Sequence, residues 1–591
     1  MTTYTLTFFH NHQTVTLDEG TLLSDACALA GYPLDLVCGG KGTCNGCQVT
    51  IETKGEKQTV QACMTAIHND LTVYLNLDQQ MKAHAQILDT QGAHSFFQPA
   101  IQKRYLDRAS LIPDSYTSVL EGIQRSFGGD FDYPAIKKAS HILLDDSLPG
   151  LTLVIKDHQV LDVQPGDTSN RLYGGAIDIG TTSVVLYVYD LNTGESVGIY
   201  SGLNQQMSHG ADVISRIQFC RQNPMGTAIL QEQIMNTLNQ LIEEASSVTP
   251  DLPENLYQLV LCGNSTMQHL FLGFNPSRLG QSPFISTTRQ LVTEIADAFD
   301  LRLNPQCQVS FLPLLGGFVG GDTTAALLSV PSDGNKRLVI DLGTNGEIAV
   351  GTHNGYLVAS TACGPALEGA GLVFGMRGTS GAIEGFELID GQAHYKVIGS
   401  EPPKGICGSG IIDILANLLR HGLLDKTGKF VVPDPDKNPS LSQLFVPFEG
   451  KLAFQVVCPE ESAYGEGIYV TQKDIRQIQL AKSAVKTGCL MLLEKYGLTG
   501  EALDEIHLAG AFGNYINVTN AQLVGLIPHF NNVPTLSVGN AAGTGVQTYL
   551  LNLASVKKCQ EILNHTTHVE LASDPNFQTL YLENMYFGGV L

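Results

Sequence analysis

Alternation of apolar and polar residues in TYTLTFF and TVTL predicts a β-hairpin turned at His10 to His12, because every second side chain of a strand shares one face. LLSDACALAG predicts a short helix ended by Gly31, and CQVTIET a further strand followed by a turn at Lys54 to Glu56. Farther on, Asp114 caps a predicted helix running through Phe127, a second helix spans Tyr133 to Asp145, and LTLVIKDHQVLDVQPGD reads as a hairpin. Two distant segments then repeat one pattern: GAIDIGTTSVVLYVYD from Gly175 and LVIDLGTNGEIAVGTH from Leu338, 163 residues apart. Each runs apolar strand, Asp-x-Gly-Thr, polar residue, second strand, so two related lobes facing one another are expected. TQKDIRQIQLAKSAVKTGCLMLLEKYG opens with a capping-box pattern at Thr471 to Asp474 and sets Ile475, Ile478, Val485, Cys489 and Leu492 on one helix face. It leads into EIHLAGAFGNYIN, an apolar strand entering a glycine-rich turn.

Between the first helix and the strand CQVTIET lies CGGKGTCNGC, which with the later VQACMT gives the spacing C-x5-C-x2-C-x15-C over Cys38, Cys44, Cys47 and Cys63. A glycine-rich loop of thiolates closed by one later cysteine suits an iron-sulfur cluster, since the loop must curl with its N–H groups toward sulfide. Structural zinc also takes four cysteines, usually as two short-spaced pairs; here only Cys44 and Cys47 form one. The order of elements resembles the plant-type and adrenodoxin-type [2Fe-2S] ferredoxin domain, although the first spacing is one residue longer than the plant pattern. The other nine cysteines stand singly among apolar neighbours and read as small buried hydrophobes.

The repeated hairpins carry phosphate chemistry. Gly180 and Gly343 let backbone N–H groups approach phosphate oxygens, Thr181, Thr182, Thr344 and Asn345 add donors, and Asp178 and Asp341 suit a hydrated Mg2+. One Gly-Thr turn alone would equally be a structural hairpin; the matched pair argues for nucleotide. Gly510, Ala511 and Gly513 would let a flat adenine ring and ribose reach the backbone. GICGSGIIDILANLL, with Gly408 and Ser409, and GNAAGTGV are Gly-rich helix starts that suit anions, with helix packing as the alternative for each. No G-x4-G-K-[ST] sequence occurs, so a P-loop is excluded.

Composition narrows the partners. A net charge of −23, from 34 Lys+Arg against 57 Asp+Glu, repels phosphate backbones and anionic membranes, so neither nucleic acid nor a membrane is expected. The most apolar stretch, FLPLLGGFVGGDTTAALLSV, is broken by Pro313, four glycines and Asp322 and reads as buried, not membrane-spanning. The N-terminus shows no basic region followed by an apolar one, and thirteen cysteines then point to a reducing, cytoplasmic setting.

Phosphate hairpins with an adenosine turn resemble the superfamily of acetate and sugar kinases, Hsp70 and actin. With the cysteine cluster in front, the whole chain resembles the ATP-dependent reductive activators of corrinoid-dependent enzymes, in the form with an N-terminal [2Fe-2S] domain. CGNSTMQHLFLG, STACGPALEGAGLVFGMRGTSGAIE and NFQTLYLENMYFG fit the same family. The resemblance implies a multidomain α/β chain: a β-grasp ferredoxin domain at 1–78, a linker at 79–96, a small α/β middle domain at 97–168, and a two-lobed actin-like unit at 169–591 with lobes of about 169–335 and 336–591. It implies bound [2Fe-2S], ATP and Mg2+. The implied partners are a corrinoid protein of a methyltransferase or O-demethylase system and a low-potential donor, whether ferredoxin, flavodoxin or a reductase; a homodimer is compatible with it. The segment Gly375 to Glu384 is the candidate partner contact.

The implied activity explains why a cluster needs an ATPase. Plant-type clusters sit near about −400 mV, and each 59 mV uphill costs one-electron transfer about tenfold in equilibrium constant. Reducing cob(II)amide to cob(I)amide is steeper still, so nucleotide states must engage the partner differently. Two rival readings are an iron-sulfur redox sensor with nucleotide-regulated binding and an activator of a 2-hydroxyacyl-CoA dehydratase. The second uses a [4Fe-4S] cluster shared across a dimer, which four cysteines in one chain argue against.

Overall fold

The computed structural model describes residues 2–9, 12–30, 32, 34, 47–53, 55–75, 97–111, 118–343, 345–399 and 401–588. Cys38, Cys44, Thr344, Asp114, Gly31 and the 79–96 linker lie outside them.

Near the N-terminus, β1 (Thr3–Phe8), β2 (Thr14–Asp18), β3 (Gln48–Thr53), β4 (Glu56–Gln61) and β5 (Leu71–Tyr74) form a mixed sheet of order β2-β1-β5-β3-β4. The Leu23–Leu29 helix packs into its core through Leu23, Ala26 and Cys27. A four-stranded sheet follows, β6 (Ile101–Asp107), β7 (Asp130–Phe131), β8 (Gly150–Lys156) and β9 (Gln159–Pro165), in order β6-β8-β9-β7. Its two longer helices start at different caps from one expectation and end short of the other. Ser118, not Asp114, caps the first, because Ser118 and Glu121 complete a reciprocal capping box over Val119–Phe127. The second, Tyr133–Ile142, is capped by Asp132 and stops three residues before Asp145.

The repeated sequence pattern becomes a repeated sheet. In the first lobe β10 (Tyr173–Ile179), β11 (Ser183–Asp190), β12 (Ser196–Leu203), β13 (Leu256–Gly263), β14 (Val292–Ile295) and β15 (Gln308–Phe311) run β12-β11-β10-β13-β15-β14. In the second, β16 (Arg337–Leu342), β17 (Gly346–Thr352) and β18 (Gly355–Thr361) precede two small three-stranded sheets, β19 (Ala382–Ile389) to β21 (Gly405–Ile406) and β22 (Phe445–Phe448) to β24 (Ile468–Thr471). β25 (Glu505–Ala509), β26 (Thr535–Gly539) and β27 (Thr566–His568) then complete the order β26-β25-β16-β17-β18-β27. Each lobe thus pairs three antiparallel strands and continues in parallel on the far side of the first, β10 with β13 and β16 with β25.

The lobes share a buried core that includes Ala176, Tyr187, Val339, Val358 and Tyr549. It closes where the Gly321–Ser329 helix of the first lobe meets the Ala541–Leu551 helix of the second. Gly545 makes that contact: a Cβ there would fall 1.7 Å from the Ala325 carbonyl oxygen. The Gln472–Tyr496 helix has its expected capping box and ends at left-handed Gly497. Among the described residues, no helix is long and apolar enough to cross a membrane.

Candidate functional site

The two repeated turns come together between the lobes, where Asp341 of the second feels the charge of Asp178 of the first. In the first, the Gly180 amide donates to the Ser183 carbonyl at 2.9 Å, and a Cβ at Gly180 would meet that oxygen at 2.6 Å. Asn204 holds the turn from below, donating Nδ2 to Gly180 O at 2.9 Å and its amide to Thr182 O at 2.8 Å. Asn264 Nδ2 donates to Thr181 Oγ1 at 3.0 Å, and Arg216 Nη2 donates to Thr181 O. In the second turn Gly343 N donates to Asn345 O at 3.0 Å, and the Cys363 thiol lies 3.5 Å from Gly343 O.

Four carboxylates from four segments come together here. Asp178 and Asp341 end the first strand of each lobe, Asp322 lies in the first turn of the Gly321–Ser329 helix, and Glu347 stands opposite Asp341 across β16 and β17. Each is partly buried, and among the described residues none pairs with a Lys, Arg or His. Burial, then the charges of Asp322 and Asp178, hold the Asp341 carboxyl up to about 7. Burial foremost, with Asp178 among the charges, holds Asp322 up to about 6, and burial followed by Asp322 and Asp341 holds Glu347 well above the usual range. Asp178 is raised by burial and restrained by Asn540, whose Nδ2 donates to its Oδ2 at 3.1 Å. Asn540 caps the Ala541–Leu551 helix, so a second-lobe residue grips the first-lobe aspartate.

Such a concentration of unpaired carboxylates is costly in apo form and is relieved by a cation. Among the described residues no three His, Cys, Asp or Glu side chains are disposed to bind a metal directly.

The remaining expected residues separate into two groups. Gly510, at φ +89°, abuts the carboxylates: a Cβ there would lie 2.6 Å from Asp341 Oδ1. The expected turn around it is instead a short helix, Gly510–Tyr515, including Ala511 and Gly513; Ser537 Oγ donates to Gly513 O at 2.9 Å. Gly408 and Ser409 start the Gly408–Arg420 helix, where the Ser409 hydroxyl meets the Cys407 sulfur at 3.3 Å, both side chains buried. No hydrogen bond ties Gly408 or Ser409 to either phosphate turn among the described residues. Asp322, Glu347, Asn264, Asn540 and Arg216 were not expected from sequence. Two signals were available: a lone aspartate, Asp322, inside the apolar stretch FLPLLGGFVGGDTTAALLSV, and the Gly-rich helix start GNAAGTGV, which contains Asn540.

The cysteine site is half described. Cys47 and Cys63 are buried, at 0% and 4% exposure, with sulfurs 3.3 Å apart. That is too far for a disulfide at about 2.05 Å. Two thiolates on one tetrahedral metal at about 2.3 Å would lie about 3.8 Å apart, so a small adjustment lets this pair share one iron. Leu6, Leu34, Val49 and Ile67 enclose it in apolar surroundings.

Comparison with known proteins covers the whole chain. The RACo middle region matches residues 173–333, and the C-terminal domain of RACo, the ASKHA domain, matches 335–589. The corrinoid activation enzyme RamQ of Eubacterium limosum is 43% identical over 580 residues, 97% of each protein. The [Co(II) methylated amine-specific corrinoid protein] reductase of Methanosarcina barkeri is 25% identical over 451 residues, 70% of this chain and 76% of that relative. Among solved structures, a reductive activator for corrinoid, iron-sulfur protein is similar with TM-score 0.73 and 30% identity, covering 99% of this chain and 98% of the other.

Proposed function

Because the chain belongs to the RACo family of corrinoid activators, we propose that it couples ATP to one-electron reduction of a protein-bound corrinoid, from cob(II)amide to cob(I)amide. The observation that carries the ATP half is the meeting of Asp178 and Asp341, from matched turns of two lobes, in one acidic cleft. The N-terminal cysteines supply the redox half. Cys38, Cys44, Cys47 and Cys63 would hold a [2Fe-2S] cluster, which when bound stores and passes single electrons.

Within the cleft, each residue has a separable task. Asp178 and Asp341 would hold hydrated Mg2+ through its waters, while the turns at Gly180–Thr182 and Gly343–Asn345 offer backbone and hydroxyl donors to the phosphates. Asp322, held up to about 6, has a carboxylate able to take a proton from attacking water. Asn264 fixes the Thr181 hydroxyl, and Asn540 fixes the Asp178 carboxylate from the opposite lobe. Lobe closure on ATP changes the Asn540–Asp178 contact, which joins the two lobes, and gives two nucleotide states that a corrinoid protein can distinguish. The electron enters from a low-potential ferredoxin, flavodoxin or reductase in the cytoplasm. The corrinoid partner serves a methyl-transfer system, and the segment 375–384 is its proposed contact.

The test is anaerobic. Cluster-loaded, reduced protein is mixed with a corrinoid protein poised as cob(II)amide, and the cobalt spectrum is followed with and without MgATP. Appearance of cob(I)amide only with MgATP is expected. An equal rate without nucleotide, or no cobalt reduction at all, overturns the reading; the latter is what a redox sensor would give.

A further inference from the structure

We propose that the Leu23–Leu29 helix of the N-terminal domain docks on the turn Gln205–His209 of the first lobe, as an internal interface governed by the first phosphate hairpin. In this arrangement Arg216 is the positioning residue between hairpin and interface. The inference deepens the nucleotide reading above and rests on it.

The interface is formed by named groups. The Leu23–Leu29 helix packs against the 3-10 turn Gln205–His209. Across it burial foremost raises the Asp25 carboxyl and lowers the His209 imidazole, and the charge of each partly offsets this in the other. His209 is also stacked on Phe219, ring centroids 4.3 Å apart at 22°, so the lobe fixes the imidazole that is coupled to Asp25. On another face the helix places Leu23, Ala26 and Cys27 in the core that encloses Cys47 and Cys63. One short helix therefore touches the surroundings of the cysteine site and the nucleotide lobe.

The turn is in turn built onto the hairpin. Arg216 is fully buried and donates Nε to Gly210 O at 3.0 Å, Nη1 to Gln206 Oε1 at 3.0 Å, and Nη2 to Thr181 O. A single guanidinium thus clamps both ends of the docking turn and the phosphate hairpin. Among the described residues no carboxylate forms an ion pair with Arg216. Burial pulls it down to about 9, Asp212 partly offsets this, and Arg377 of the second lobe repels it. A buried cation so placed has the charge of Asp212 nearby but no ion pair, and a nucleotide phosphate at Gly180–Thr182 would bring a second anion. Phosphate binding therefore stabilises the clamp, firms the turn it holds, and tightens the seat of the helix. By thermodynamic reciprocity, docking of the helix favours nucleotide by the same factor.

The experiment uses the full-length, cluster-loaded protein under anaerobic conditions. Hydrogen exchange of residues 23–29 is measured with and without Mg2+ and a non-hydrolysable ATP analogue, alongside calorimetric nucleotide binding and EPR of the cluster. Nucleotide is expected to slow exchange of this helix by about tenfold, within the usual range for coupled sites. The response should vanish in Arg216→Gln, return in part in Arg216→Lys, and vanish in His209→Ala, which still binds nucleotide, more weakly by up to the same factor, and keeps the cluster signal. Bound nucleotide with unchanged exchange in the parent protein overturns the inference alone. So does a parental response in His209→Ala, which decides the matter if Arg216→Gln fails to fold. Absence of nucleotide binding in the parent overturns the ATP reading and this inference together.

Discussion

Asp341→Asn is expected to stabilise the ligand-free ATPase unit at pH 8 while abolishing most of its use of MgATP. Burial first, then the charges of Asp322 and Asp178, oppose ionisation of the Asp341 carboxyl. Two like unit charges about 6 Å apart at an effective dielectric of 20 repel by about 3 kcal/mol. Asp341 is only partly buried, and water screening leaves about 1 to 2 kcal/mol for the substitution to relieve. For a unit of this size the gain corresponds to about 1 to 2 °C in Tm. Turnover of MgATP should fall by about 100-fold, the scale of losing one electrostatic contact to a transferring group.

The sign of the pH dependence distinguishes this account from ordinary stabilisation. The Asp341 carboxyl is held up to about 7 in the folded protein and lies near about 3.9 in the unfolded chain. Between those values the folded state retains a proton that the unfolded state has released, so ligand-free stability falls as pH rises through the window. The Asp341→Asn gain is thus full above about pH 7 and fades toward pH 5, where the carboxyl is already neutral. Calorimetry in EDTA at pH 8 and pH 5 reads both values. A lower Tm for the variant at pH 8, or an equal gain at the two pH values, refutes the reasoning.

Four further outcomes are open to direct measurement. Cys63→Ser should lose the cluster while nucleotide binding remains; iron and sulfide analysis giving full occupancy, or stoichiometric zinc in the parent, refutes the assignment. Gly545→Ala should cost about 2 kcal/mol as overpacking against Ala325 and depress ATP turnover with no cleft side chain altered; an unchanged Tm would mean that the helix contact is looser than 1.7 Å to that oxygen implies. Deleting about eight residues of the 79–96 linker, at most about 26 Å of reach, should suppress corrinoid reduction but not dithionite reduction of the cluster or ATP binding, and a normal rate means that the cluster already works from a docked position. Hydrogen exchange across 375–384 should slow when the corrinoid protein binds; no protection there rejects that contact.

What the sequence made legible was whatever is written locally and periodically. The two Asp-x-Gly-Thr segments predicted related lobes because each carries its own strand, turn and strand, and the sheets β12-β11-β10-β13-β15 and β18-β17-β16-β25-β26 share one order. Thr471 and Asp474 announced a helix start because a capping box lies within four residues. Where two local signals competed, the choice failed: Asp114 and Ser118 both suit an N-cap, and only Ser118 has Glu121 in reciprocal position. GAFGNY was expected as a turn because two glycines disfavour helix, yet the chain forms one there, where Gly510 can approach the Asp341 carboxylate as no residue with a Cβ could.

The residues that the sequence concealed act only through partners from distant segments. Asn540 lies 362 positions from the aspartate that it restrains, and Arg216 lies 35 from the threonine carbonyl that it clamps. Arg216 carries no motif, and the Gly-rich helix start GNAAGTGV marks Asn540 without naming its partner, since each residue is defined by what it touches. Their placement has a mechanical consequence. Asn540 links Asp178 to a second-lobe helix, and Arg216 links Thr181 to the turn beneath the N-terminal helix, so the hairpin Asp178–Thr182 is held from both sides. A phosphate arriving there meets a loop already tied to the opposite lobe and to the cysteine-bearing domain. Under the proposed docking, relaxing one attachment is felt at the other, which is the physical requirement for a nucleotide to bias an electron-transfer partner across a domain boundary.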